Sequence, residues 1–436
     1  MYQQWIELGK QKGLSELEIF AVRNKSLSLT VYQSKLDSHV QSDVEHVTLR
    51  GIYNGKLSTV RFENLSTTNV EHMIERLIEN ATALTVSEPA IIFEGSKSYP
   101  EVKEERFDFS KIDVTKKIDL LKSLESKIKA HPAVTQVQTA SYQEIDTKTT
   151  LFNSKGLHLT RQSTYAYAYA IGVFQKDDDI KTSYDIKLVK DFNDFNLEEM
   201  ASQTIEKGVA KLGGKSIPTQ AYPVVFSNEK FSDIISAFTS IFSGEAAYRN
   251  LTALKDKVGV QVFGENVHLI DDPLHPDSHF KIPFDDEGVA CQKRDLVKAG
   301  VFQGFNHNLK TASIFKQEPT GNGFHGSISP TNLYLQPTDL AFDEMIKEIK
   351  DGVYITDLVG LHAGIKTVSG DFSLQASGRK IIDGKLDHAV KMIVVSGNFF
   401  DMMKHIKWIA SDLKFDLSGI GSPSVYIESL MIGGES

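Results

Sequence analysis

The ten residues GIYNGKLSTV at 51–60 place Asn54-Gly55 between two strand-like runs. Asn-Gly readily takes the left-handed backbone that a two-residue turn between antiparallel strands demands, so this stretch is a strong hairpin signal. Upstream of it, Leu27, Leu29 and Val31 alternate with polar residues, the period of a half-buried strand. Downstream, residues 68–83 change to helical spacing, with Val70, Ile74, Leu77, Ile78 and Ala81 on one side. A second helix is expected to begin near Thr115 as its N-cap, to bury Ile118, Leu121, Leu124 and Ile128, and to stop before Pro132.

From Ala133 to about Phe192 the pattern is that of strands. The run STYAYAYAIGVF at 163–174 alternates Tyr165, Tyr167 and Tyr169 with alanines, as a two-faced strand does. The tyrosine row could be an aromatic platform for a ligand, but the preferred reading is a large-residue sheet face packed on helices. Asp177, Asp178 and Asp179 fall where a hairpin tip is expected. A helix over 196–212 should end at Gly213-Gly214. The aperiodic stretch GGKSIPTQAYP then marks a domain boundary, dividing the chain into 1–217 and 218–436. Beyond it, FSDIISAFTSIF reads as an apolar helix burying Phe231, Ile234, Ile235, Phe238 and Ile241. Short strands with Gly, Pro and Asp turns fill 258–395, with a helix near 340–350. A last helix over 398–412 precedes the closing strand SVYIESLMIG. The fold class expected is α+β: an N-terminal sheet-and-helix domain, then a C-terminal domain dominated by antiparallel β-sheet. Helices 230–242 and 398–412 should pack on that second sheet.

Composition narrows the function classes. The 436 residues are 41% hydrophobic and 24% charged, which is ordinary globular composition rather than disordered or collagen-like. With 48 basic against 57 acidic residues, the net charge of −9 argues against a general nucleic-acid binder, which needs a basic surface. A single cysteine, Cys291, can form no internal disulfide and no cysteine-rich zinc site, and fits a reducing compartment. The polar start lacks the features of a signal peptide, and no apolar run is long enough to span a membrane; a cytoplasmic protein is expected.

Standard catalytic motifs are few. GNGFHG at 321–326 matches GxGxxG, but the following ISPTNLYL contains a proline and reads as a strand. A dinucleotide site needs a helix N-terminus there, so a glycine-rich surface loop is expected instead. His275 and His279 have i, i+4 spacing, yet Pro273 and Pro276 make HPDSH a loop, and two exposed loop histidines are preferred to a zinc pair. Cys291 has no histidine within three residues to activate it and reads as a small buried thiol. In DDEGVA at 285–290, Asp285, Asp286 and Glu287 precede Gly288; they could coordinate a cation or hold the amine end of a peptide, and a tight turn explains the same residues.

Several segments together resemble the TldD/PmbA family, whose older label is "modulator of DNA gyrase". They are SGEAAYRNLTALKDKVG at 243–259, LIDDP at 269–273 and PFDDEGVACQKRDLVKAGVFQGF at 283–305. The match continues with SPTNLYL at 329–335, GLHAGIKTVSGDFSLQASG at 360–378, VVSGNFFDMM at 394–403 and GSPSVYIESLMIGG at 421–434. In the first half, NSKGL at 153–157 is compatible. The resemblance implies peptidase biology: a catalytic branch carries HExxxH on a helix, its histidines holding zinc and its glutamate acting as base for the attacking water, with a cysteine ligand near the C-terminus. Zinc would lower the pKa of that water and polarise the peptide carbonyl.

This sequence departs from that motif. In GEAAYR, Gly244 stands where the first histidine would be and Arg249 where the second would be, leaving Glu245; no cysteine follows Cys291. The pattern resembles the PmbA (TldE) branch, which lacks the metal motif. The resemblance implies that this chain binds no cofactor of its own and that zinc is supplied by a TldD-like HExxxH subunit in a heterodimer. That complex would act on unfolded or precursor peptides, with Asp285, Asp286, Glu287 and Gly288 as peptide-cleft residues. Two further readings stand beside it: a non-catalytic peptide-binding or regulatory homodimer, and a self-sufficient peptidase with a metal relocated to Asp285, Asp286, Glu287 and the His275/His279 pair. Glu245 is read as a helix-start residue or fold relic before a catalytic one, and its i, i+4 spacing from Arg249 suits an ion pair.

Overall fold

A computed structural model describes residues 1–63, 69–85, 88–103 and 106–435. The expected start of the first amphipathic helix at residue 68 lies outside the described residues. Strands take 41% of the chain and helices 23%, and the sheets are mostly antiparallel, so the fold is α+β. The chain forms two compact units. The first comprises Met1–Val209 together with Pro283–Ala290 and Asn308–Gly326; the second comprises Ala210–Ile282, Cys291–His307 and Ser327–Ser436.

The first unit opens with helix α1 (Tyr2–Gln11), followed by β1 (Glu16–Tyr32), β2 (Lys35–Tyr53) and β3 (Lys56–Glu63). Asn54 and Gly55 join β2 to β3 with φ of 48° and 74°, so both turn residues take the left-handed backbone that the hairpin requires. Helix α2 (Val70–Ala83) is capped by the Asn69 side chain, which accepts the His72 N–H. Helix α3 (Val114–Lys129) is capped by Asp113, which accepts the Thr115 N–H at 2.7 Å; Thr115 is therefore inside the helix and does not cap it. Strands β4 (Val134–Asn153), β5 (His158–Lys176), β6 (Asp179–Ser183) and β7 (Ile186–Val189) and helix α4 (Leu197–Val209) complete the series. The sheet order is β3-β2-β1-β4-β5-β6, with β7 also on β5, and every pairing is antiparallel.

One face of this sheet is covered by helices. Trp5, Leu17, Ile19, Val47, Leu49, Ile74 and Leu77 form the core under α1 and α2. Under α3 and α4 the sheet contributes Leu29, Tyr142 and the alanines 166, 168 and 170, all fully buried. The tyrosine expectation is thus corrected. The alanines, not the tyrosines, pack beneath the helices, because small side chains let a helix approach the sheet closely. Tyr165, Tyr167 and Tyr169 lie half-buried on the opposite face. The α3 face also buries Lys117, whose ammonium donates to the Phe109 carbonyl at 2.8 Å and pairs with Glu144 at 2.6 Å.

In the second unit, β8 (Gln220–Phe226) leads into α5 (Asn228–Phe238), capped by Ser227, and then the short helix α6 (Gly244–Tyr248). All five expected core residues of 231–241 are buried. Helix α7 (Phe342–Lys347) precedes β9 (Asp351–Val359), β10 (Asp371–Ile382) and β11 (Lys385–Asn398). After α8 (Phe399–Lys404) come β12 (Ile406–Ile409) and β13 (Val425–Gly433). The strand order is β11-β10-β9-β8-β13-β12, and β11 also pairs with β13, so five of these strands close on themselves. Only β8 and β9 run parallel within it. A second six-stranded sheet of short strands includes Leu269–Asp271, Arg294–Lys298 and Leu333–Leu335.

The helix expected over 398–412 is much shorter. Asn398 caps α8 through the Phe400 and Asp401 N–H groups, and the chain leaves the helix after Lys404 because Ile406 and Ile409 pair with the closing strand at Ile427 and Val425. Likewise α4 ends at Val209, before the glycine pair. A helix at Leu309–Phe315, capped by Asn308, was not expected from the sequence. No helix among the described residues is long and apolar enough to cross a membrane.

Candidate functional site

The motif segment folds locally around Ser243. Its hydroxyl accepts the Glu245 N–H at 3.1 Å, which starts α6, and the Gly244 N–H donates to the Asn306 carbonyl at 2.8 Å. Five residues make a single helical turn and a half. Across it the Arg249 Nε donates to Glu245 Oε1 at 2.5 Å, so the i, i+4 ion pair forms. Gly244 is buried and offers no side chain. The side chain of the same Asn306 accepts from Arg294 at 2.8 Å, so Asn306 links a second guanidinium to this segment. The adjoining His307 is buried, and loss of water together with the Arg294 charge pushes its pKa down to about 4. Sequence reading missed Arg294, Asn306 and His307, since no short motif joins them to 244–249.

These residues do not fit a zinc ion. Glycine has no donor atom, and a guanidinium has no lone pair to give and repels a dication. Glu245 already spends one oxygen on Arg249. Among the described residues no group of three or more His, Cys, Asp or Glu is placed to hold a metal.

The acidic turn belongs to the first unit, and its carboxylates are all engaged there. Asp285 is fully buried; its Oδ1 accepts the Glu287 and Val289 N–H groups at 3.0 and 2.9 Å, and its Oδ2 accepts the Gly323 N–H at 2.8 Å. Burial and the neighbouring Glu287 charge outweigh those donors and push its pKa up to about 7. Asp286 pairs with Arg161 at 2.5 Å and accepts the His325 N–H at 2.9 Å. Glu287 accepts the Leu309 N–H at 2.7 Å and faces Arg50 at 3.5 Å, while Arg50 also holds the fully buried Glu18. Gly288 completes the turn at φ +85°, where its N–H donates to the Asp285 carbonyl and its own carbonyl accepts from the Tyr99 hydroxyl.

The remaining candidates separate. The GNGFHG segment is not a surface loop: Gly321, Asn322, Gly323 and Phe324 are buried, and Gly323 serves the Asp285 carboxylate. His275 is not freely exposed either, since it packs against the rings of Tyr334 and Phe415, and that burial lowers its pKa. Cys291 is buried. On the second unit, Asp233, Ser236 and Ala237 of α5 and Leu361, His362, Ile365 and Thr367 line an open pocket of about 430 Å³.

A chain with an antiparallel sheet carrying helices, a second sheet that closes on itself and the short helix α6 matches a metallopeptidase-related class along most of its length. Residues 17–81 match domain 1 of the PmbA/TldA metallopeptidases, residues 107–212 their central domain and residues 219–434 their C-terminal domain. A Thermotoga maritima structure carrying a gyrase-modulator label is 32% identical, with a TM-score of 0.92 over 99% of both chains. The metalloprotease PmbA of Escherichia coli O157:H7 is 24% identical over 71% of this chain and 68% of its own length. A PmbA homologue of Buchnera aphidicola is 27% identical over 65% of this chain, and the match spans 62% of that relative. The structure of TldE from Thermococcus kodakarensis, 21% identical with a TM-score of 0.88 over 99% of this chain and all of that one, shares the fold. The chain belongs to the PmbA/TldD family.

Proposed function

We propose that this chain is the non-metal subunit of a cytoplasmic peptidase complex, in which a second family member bearing HExxxH holds the zinc. The observation that carries the reading is the Arg249–Glu245 ion pair on α6, at the positions where that motif would put its second histidine and its base. A helix whose glutamate is bonded to a cation is neither a metal site nor a free general base. The chain's part is then to complete a peptide-binding chamber around the partner's zinc. An extended, unfolded peptide bound by its backbone would be accepted with little regard to sequence. The α5 pocket, with Leu361, Ile365 and Ala237 beside Asp233 and His362, supports peptide binding through its mixed apolar and polar lining.

The test is metal content and cleavage of unfolded peptides, for the chain alone and mixed with an HExxxH-bearing relative from the same cell. The expected result is a metal-free, inert chain whose addition raises the relative's cleavage. Stoichiometric zinc and cleavage by the chain alone would overturn the reading. A mixture no more active than the relative alone would leave this chain outside cleavage altogether.

A further inference from the structure

Strand β5 has two faces of different character. Ala166, Ala168 and Ala170 are buried under the helices, whereas Tyr165, Tyr167 and Tyr169 stand half-buried on the other face. The antiparallel registers carry that second face across the sheet, since residues directly opposite one another point the same way. Ile145, Gln143 and Ser141 of β4 lie opposite the three tyrosines, and Ser26, Ser28 and Thr30 of β1 lie opposite those in turn. Leu188 and Ile186 of β7 flank Tyr167 and Tyr169 on the far side. The Tyr167 hydroxyl donates to Gln143 Oε1, which holds the middle ring in place before anything binds.

At these positions there is no Asp, Glu, Lys, Arg or His. The charges of the same strands, Arg23 and Lys25 of β1 and Asp146 and Lys148 of β4, alternate onto the face that the helices share. In a chain that is 24% charged, a sheet face in contact with water ordinarily carries some of that charge. Hydroxyls, an amide and a row of phenol rings suit contact with a neutral chain instead. Tyrosine gives broad contact at little entropic cost, and serine and threonine supply adaptable hydrogen bonds. The spacing fits as well. Alternate residues of a strand repeat every 6.7 Å or so, about the same as in an extended peptide lying along β5, so each ring meets an equivalent position. The charge match is to the peptide backbone, which is itself neutral, and the face excludes no peptide for the charge of its side chains.

We propose that this face of the first-unit sheet, centred on Tyr165, Tyr167 and Tyr169, is a bed on which an extended, unfolded peptide lies. The inference rests on the reading of this chain as a peptidase subunit and names a place on it where substrate is held. Binding is read without cleavage, so the two can fail separately.

The probe is a dye-labelled unfolded peptide of about ten residues, long enough to cover the tyrosine row. It is made in neutral, lysine-bearing and glutamate-bearing forms. Binding to the full chain is read by fluorescence anisotropy at about 0.15 M salt, where distant charges are screened. Wild type should bind all three forms, and Tyr167→Ala should weaken each about tenfold. Ser28→Glu leaves every ring in place and adds one carboxylate to the face. It should shift the preference for the lysine form over the glutamate form at least about threefold from wild type, a selectivity that misfolding cannot produce. Unchanged affinities in both variants would overturn the proposal. If the wild-type chain still raised cleavage by its HExxxH-bearing relative, the non-metal-subunit reading would stand without it. A wild-type chain that binds none of the three peptides would also overturn the proposal. So would tighter binding of cellohexaose, an uncharged sugar polymer that tyrosine rings can stack on.

Discussion

Among the contacts that join a carboxylate to a guanidinium, the one on α6 and the one around Arg50 are made different objects by their surroundings. At Glu245–Arg249 the two groups are one helical turn apart on α6, with the arginine side chain 60% exposed. At Glu18–Arg50–Glu287 the partners come from β1, β2 and the turn at 285–288, and the Glu18 side chain is shut away from water. An exposed pair gains little, because water and salt screen it and two long side chains must be held still. A buried group has already lost its hydration, so removing its partner leaves a charge with nothing around it. The acidic turn therefore works as a fastening: it ties residues from the second half of the chain onto the sheet of the first unit. The ion pair on the motif helix is chemically similar but has one partner open to solvent.

Breaking the buried side should have the largest effect. Arg50→Ala strands Glu18 and removes the cation beside Glu287, and is expected to cost about 3–5 kcal/mol in denaturant unfolding. A loss below about 1 kcal/mol would mean that water reaches the cluster and that the contrast with α6 is false. Asp285→Asn sharpens the same comparison. The native carboxyl has its pKa raised from 3.8 to about 7, so the folded state binds this proton more tightly than the unfolded state does. Stability should therefore fall as pH rises from about 4 to about 7, and the penalty should persist above that. The amide cannot ionise, so the variant should lose this slope. It also turns an N–H toward a backbone donor, costing about 1–3 kcal/mol near pH 4. Unfolding free energies of both proteins across that range decide the matter, and parallel curves would show that Asp285 does not titrate there.

What the sequence revealed and what it hid divide along the same line of locality. The Asn54-Gly55 hairpin, the core face of α5 and the closing strand were legible because a turn or a periodicity is written in adjacent residues. The Glu245–Arg249 pair was legible for the same reason. The buried cluster was not: Glu18, Arg50 and Glu287 are far apart in sequence, and the register of β1 with β2 and the return of residues 283–290 bring them together. The tyrosine row misled because alternation shows that a strand has two faces without saying which the helices cover. The helix over 398–412 failed because β12 gains more from pairing with β13 than from continuing a turn begun at Asn398.

The smallest effect belongs to α6, and it bears most directly on function. Arg249→Ala and Glu245→Gln each break an ion pair that is open to solvent on the arginine side, so each should change stability by less than about 1 kcal/mol. Glu245→Gln should also leave the cleavage rate of a mixed complex nearly unchanged, since a glutamate bonded to Arg249 is not abstracting a proton from water. The informative comparison is with omission of the chain. A rate for Glu245→Gln near that of the wild-type mixture makes α6 a scaffold, whereas a fall to the level of the partner alone would give the glutamate a chemical task and would require Arg249 to release it when substrate binds.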